Sequence, residues 1–143
     1  MAEDMSGPTS GTPWNAGSVA RWLLAGILLL ALALRLRGLV SFPLEGDEIF
    51  TYFEATDLFD TNLQPGIEAR PLYYLLQHAL FWVGPDRHPA MLRALPLVFG
   101  MAGIWATWQL GREVSGTIAA ALGALMAAVS HSHLYASGMA RYW

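Results

Sequence analysis

The sequence predicts an all-helical, polytopic membrane protein, and three observations lead there. Hydrophobic residues fill 55% of the 143 positions and charged ones 13%, too little polar material to coat a soluble globule. Charge-free apolar stretches recur at about the length that crosses a bilayer. Between the first and second of them lies an acidic segment punctuated by Pro and Gly, holding two helical patterns too short to cross. The expectation is three transmembrane helices, at about 18–40, 90–110 and 117–138, and two interfacial helices in a loop over 41–89.

Residues 1–17, rich in Gly, Ser, Thr and Pro with Glu3 and Asp4, bury too little apolar surface to offset their ordering entropy and read as a disordered tail. The first span is built on Trp22 to Leu34, thirteen residues without a polar side chain. A secretory signal competes for this segment. A single late arginine, Arg21, and the absence of a small-residue cleavage site favour an uncleaved anchor. Arg21 and Arg35 near its ends are expected to snorkel toward the interfaces.

In the loop, Glu48 to Phe59 places Ile49, Phe50, Phe53, Thr56 and Leu58 or Phe59 near one side, with Glu54 and Asp57 elsewhere. Pro71 to Val83 opens with a first-turn proline and carries Tyr73, Tyr74, Phe81 and Trp82, side chains that settle at membrane–water boundaries. The second span follows, reaching crossing length if residues 88–93 supply its outer turn. Gly111 to Gly116 then reads as a tight polar hairpin, and the third span as a charge-free helix. Ala119, Gly123 and Ala127 repeat small residues every four positions, a pattern that admits another helix closely.

All eight basic residues are arginine and the net charge is −3, which offers no basic surface for nucleic acid. Without cysteine there is no disulfide, thiolate metal site or cysteine nucleophile. His131 and His133 stand two apart, about 200° around a helix, so they do not share a metal, and His78 and His88 have no spacing partner. No metal ligands are assigned.

Chemistry concentrates at Glu45-Gly46-Asp47-Glu48, three acids in four positions directly after a span. One reading is structural, with Asp47 capping the helix and Glu48 complementing its dipole. The other is functional: a carboxylate taking a proton from an acceptor hydroxyl, or helping to hold a divalent cation, the one cofactor these oxygens suit. Glu68, just before the second interfacial helix, is a further acid candidate, with an ordinary helix-start role as its alternative. Arg70, Arg93 and Arg141 can grip phosphate oxygens through the guanidinium fork, or pair with loop acids.

Taken in order, Leu34-Arg35-Leu36-Arg37-Gly38-Leu39, Gly46-Asp47-Glu48-Ile49-Phe50 and Arg70-Pro71-Leu72-Tyr73-Tyr74-Leu75-Leu76 resemble the protein O-mannosyltransferase and aminoarabinose-transferase superfamily of GT-C glycosyltransferases. The series continues through Arg93-Ala94-Leu95-Pro96, similar to the family's Arg-Leu-Pro start of the second span, Gly111-Arg112-Glu113, and the Ala140-Arg141-Tyr142 ending, over roughly residues 20–143. The resemblance implies transfer, with inversion, of a sugar from a polyprenyl-phosphate donor to a protein or glycolipid acceptor at the extracytoplasmic face of a bacterial inner membrane. It implies Asp47 and Glu48 as the catalytic acids, with Glu68, Arg70, Arg93 and Arg141 binding substrate. It also implies a cytoplasmic amino terminus and an external acidic loop. Counting arginines points the other way, since Arg35, Arg37, Arg70, Arg87 and Arg93 flank the loop against Arg21 and Arg112 opposite.

Two departures bear on substrate: Ala69-Arg70 replaces the usual His-Pro or Lys-Pro, and Gly138-Met139 the usual glutamate before Ala-Arg-Tyr. Family members also continue through many more spans, so the chain corresponds to their amino-terminal part, expected to be inactive alone. The competing class is a non-enzymatic membrane subunit or scaffold, or an inactive gene fragment, which would tolerate neutral substitutions at Asp47 and Glu48.

Overall fold

The computed structural model describes residues 16–41, 45–56, 70–83 and 89–140. Among them every element is a helix: α1 (Ala16–Ser41), α2 (Gly46–Thr56), α3 (Pro71–Val83), α4 (Pro89–Val129) and α5 (His131–Gly138). The tail up to residue 15, Leu58, Phe59, Arg87 and His88 lie outside the described residues. Ala16 and Gly17, expected in the tail, already form the first turn of α1.

Two helices, Gly17–Arg37 and Met91–Val129, are long and apolar enough to cross a membrane, where three were expected. Only 22% and 17% of their apolar windows are buried within the chain, whereas the core helix of a soluble protein is mostly covered. Leu29, Leu30, Val98, Phe99, Ile118, Leu122 and Met126 all point outward.

The count differs because the expected hairpin contains almost no loop. Helix continues through Gly111 to Ser115, and only Gly116 leaves it, at φ 84° and ψ 179°, a region that an L side chain essentially cannot enter. The chain reverses there. A Cβ on Gly111 would meet Ala120 Cα at 2.8 Å, and one on Gly123 would meet Thr107 Cγ2 at 3.6 Å, so the limbs before and after Gly116 run antiparallel in contact. In a straight helix, nine residues would separate positions 111 and 120 by about 13 Å. The later limb ends at Val129, after about 20 Å of rise. Ser130, at φ −58° and ψ 125°, then breaks it from α5.

The core explains which small residues matter. Ala120, Ala124 and Ala128 are buried together with Ala20, Ile27, Ala31, Ile104 and Trp108, so α1 and both limbs of α4 meet along an alanine row. This row lies one residue beyond the expected Ala119, Gly123 and Ala127; Ala119 is exposed. Gly111→Val should therefore force the limbs apart at backbone rather than at a yielding side chain. The expected loss is about 1–3 kcal/mol in unfolding monitored by circular dichroism in detergent, and an unchanged transition would show the hairpin does not close there.

Helices α2 and α3 form a second cluster with the start of α4: Ala55, Tyr74, Phe81, Leu92 and Ala140 are buried together. Tyr52 meets Phe81 edge to face at 5.6 Å, and His78 Nδ1 lies 2.8 Å from the Ala55 carbonyl. Pro96 has no N–H to give to the carbonyl four residues earlier, and Gln77 fills that gap: its Nε2 donates to Leu92 O at 2.7 Å. The apolar side of α2 faces away from the chain, with Ile49 and Phe53 exposed and Phe50 69% accessible. On α3, Leu72, Leu75 and Val83 are likewise exposed, and Trp82 is 84% accessible.

Candidate functional site

The site begins with the first turn of α2. The amides of Glu48 and Ile49 donate to Glu45 O at 2.9 and 3.0 Å, while Glu48 Oε2 accepts the Glu45 N–H at 3.1 Å. The bond from the Glu45 amide to the Glu48 side chain is one half of a capping box, the third-position carboxylate reaching back to the residue that opens the helix, while the Glu45 backbone carbonyl takes the first helical amides. Capping by Asp47, one of the two sequence readings, is replaced: Asp47 lies inside the first turn, where its carbonyl accepts Thr51 Oγ1 at 2.9 Å.

Neighbouring residues on a helix diverge by about 100°, so the adjacent acids meet different surroundings. Glu48 has no accessible surface and Arg93 only 3%. Arg93 Nε donates to Oε1 at 2.9 Å and Nη2 to Oε2 at 2.5 Å, a bidentate charge-assisted pair. Oε1 also accepts the Ala140 N–H at 2.9 Å, and Arg93 Nη1 donates to Leu39 O at 3.4 Å. One ion pair thereby joins the end of α1, the start of α2, the start of α4 and the chain beyond α5.

Burial alone would raise the Glu48 carboxyl, but the Arg93 bonds and charge and the Ala140 and Glu45 amides outweigh it and hold it below the usual carboxylate range. Tyr73 moves oppositely: its phenol is pushed up to about 12, first by burial and then by the negative charge on Glu48. The Tyr73 hydroxyl is buried without a hydrogen-bond partner among the described residues.

Each Glu48 oxygen already accepts two donors, which leaves it poorly placed to take a proton from an incoming hydroxyl. The Asp47 side chain is exposed at the same helix start, and Arg70 is exposed immediately before α3. Glu68 and Arg141 lie outside the described residues. The structure thus brings Glu48 and Arg93 into contact from 45 positions apart and leaves the neighbouring Asp47 exposed on the same turn. Among the described residues no group of three or more His, Asp or Glu side chains could hold a metal ion. Glu48, committed to Arg93 and two amides, has no lone pair left to offer a divalent cation.

Sequence reasoning missed a second polar centre. Arg35 does not snorkel: only 2% accessible, it turns into the bundle. Its Nε donates to Ser137 Oγ at 2.8 Å, Nη1 to Ala31 O and Ala128 O at 3.0 and 3.3 Å, and Nη2 lies 2.7 Å from His133 Nδ1. The cause is the break at Ser130, which strips the last α4 carbonyls of helical partners and leaves Ala128 O as an acceptor at a negative helix end. His131 parts from His133 and stacks on Tyr135, centroids 6.4 Å apart. The Pro96 gap filled by Gln77 was legible in principle from the missing amide, whereas nothing local announces the break at Ser130.

No protein-family model, curated protein or solved structure matches the chain.

Proposed function

We propose that the chain is the amino-terminal part of a polytopic glycosyltransferase that moves a sugar from a polyprenyl-phosphate carrier to an acceptor at the extracytoplasmic face of a bacterial inner membrane. The observation that carries the reading is the division of labour at the start of α2. The exposed Asp47 carboxylate stands on a turn whose buried neighbour, Glu48, is fixed by Arg93 and two backbone amides.

In this reading α1 and the two limbs of α4, the second extended by α5, cross the bilayer as three passes with the amino terminus in the cytoplasm. Helices α2 and α3 rest in the outer interface, their exposed Phe50, Phe53, Leu72 and Trp82 against lipid. Asp47 takes the proton of the acceptor hydroxyl as that oxygen attacks the anomeric carbon. The bond from sugar to phosphate breaks with inversion, and the electron pair leaves on the phosphate oxygen. Arg70 and Arg141 are the cations assigned to that leaving charge. Arg93, held by Glu48, contributes to the frame.

The test is to sequence the source gene through and beyond codon 143, and to assay the complete product in proteoliposomes with radiolabelled polyprenyl-phosphate sugars. Transfer of label supports the reading. A stop codon directly after Trp143, or a complete product inert toward every such donor, favours a membrane scaffold instead.

A further inference from the structure

The centre around Arg35 contains a cation and, among the described residues, no counter-ion. Among the described residues no carboxylate pairs with Arg35; its acceptors are a hydroxyl, two carbonyls and an imidazole nitrogen. A guanidinium can only donate, so His133 Nδ1 must present its lone pair, with any ring proton on Nε2. The 2.7 Å contact is therefore available to neutral His133 and unavailable to the imidazolium, which would set two cations face to face in a closed site.

Among the described residues no carboxylate pairs with His133. Helix α5 packs against α4 and α1. From α1 the group facing His133 is Arg35. From α4 it is Gly103, whose Cβ position would stand 3.5 Å from Nε2, and which brings no titratable group. Arg93, the charged residue at the near end of α4, is occupied by Glu48. On α5 itself His131 stacks on Tyr135, and Ser137 Oγ donates to His133 O at 2.6 Å while accepting from Arg35.

We infer that the Arg35–His133 contact is an acid-released latch, holding α5 against α1 while His133 is neutral and letting it swing away when the imidazole takes a proton. The break at Ser130 supplies the hinge, because α5 is joined to α4 there by non-helical backbone. Two residues beyond its end stands Ala140, whose N–H donates to Glu48, so release of the helix loosens a buttress of the acidic turn. The latch stands independently of any catalytic role for Asp47.

The chain has no cysteine, so paired spin labels can be placed without background. Leu36→Cys and Ala136→Cys label exposed positions on α1 and α5. In lipid nanodiscs, the distance distribution from double electron–electron resonance is expected to hold one population at about pH 8 and gain a longer one by about pH 4.5. Glu48, held below the usual carboxylate range by its partners, titrates at lower pH than an ordinary glutamate.

His133→Asn in the same labelled chain puts a non-titrating acceptor oxygen near the place of Nδ1 and should keep the single population throughout. An unchanged wild-type distribution at about pH 4.5, or the same acid response in His133→Asn, overturns the latch. Nitrogen-15 spectra of the histidines supply a check that needs no variant in α5: at about pH 8 an Nδ1-protonated His133 also overturns it.

Discussion

Arg93→Ala is expected to destabilise the folded chain by about 3–5 kcal/mol, the range for stranding one half of a buried ion pair. Glu48 has no accessible surface, so without the guanidinium it keeps only two amide donors, and burial then works against its charge. Glu48→Gln should fall in the same range for the converse reason, leaving a charge on Arg93 with one neutral acceptor where a carboxylate had been. Both losses read out as earlier unfolding transitions in detergent, followed by circular dichroism. A shift below about 1 kcal/mol in both variants would mean the pair is not what joins the four segments.

The double variant separates the pair from its surroundings. Glu48→Gln with Arg93→Met removes both charges while keeping one acceptor for the Ala140 or Glu45 amide. It should be less destabilised than the sum of the singles, with a coupling of about 0.5–3 kcal/mol. Full recovery is not expected, because an apolar exchange cannot satisfy both amides and the Leu39 carbonyl. Acid adds a second readout. The folded Glu48 carboxyl is held below its unfolded value, so its stabilisation is fully present above the unfolded value. It is lost as pH falls through the lower folded value, and Glu48→Gln should flatten that acid limb.

What the sequence could and could not disclose follows from the range of each interaction. The apolar run of α1, the first-turn proline of α3 and the outward apolar side of α2 are local periodicities, and these helices stand close to where the pattern put them. The reversal near residue 116 was legible as a polar interruption. Its form was not: a single glycine at φ 84° turns the chain without a loop, so α4 reads as one element where two were expected. The small-residue row was found with the right spacing but one residue off the buried centre: Ala120, Ala124 and Ala128 are covered, while Gly123 meets Thr107 and Ala127 packs at the edge of the core. Periodicity gives the repeat of a small-residue face, but Ile104, Trp108 and Ala31 on other segments decide which phase they cover. At the site, the sequence offered Glu48 as a catalytic acid or a helix-start acid, and Arg93 as a phosphate ligand or a partner of the loop acids; the structure shows the pairing with a loop acid, but that Glu48 is the partner, 45 positions away, leaves no local trace. The inward turn of Arg35 depends on a helix break almost a hundred residues away, beyond anything a reading of α1 contains.

On the proposed function, Asp47→Asn in the complete gene product is expected to reduce sugar transfer by about 10²–10⁴-fold, the share that a positioned general base contributes. The substitution keeps the shape of an exposed side chain in the first turn of α2 and touches none of the four bonds to Glu48, so unfolding should be nearly unchanged. Donor binding should also persist, because the variant loses the proton acceptor and no phosphate-facing cation. The expected signature is a fall in kcat with little change in KM for the polyprenyl-phosphate sugar. This distinguishes the two adjacent acids by separate instruments: Glu48→Gln acts on unfolding first and on transfer through it, whereas Asp47→Asn acts on transfer alone. Retained transfer in Asp47→Asn sinks the base assignment. Equal losses of stability in both variants would mean that the turn is only a structural joint, and the membrane scaffold would then be the better account of the chain.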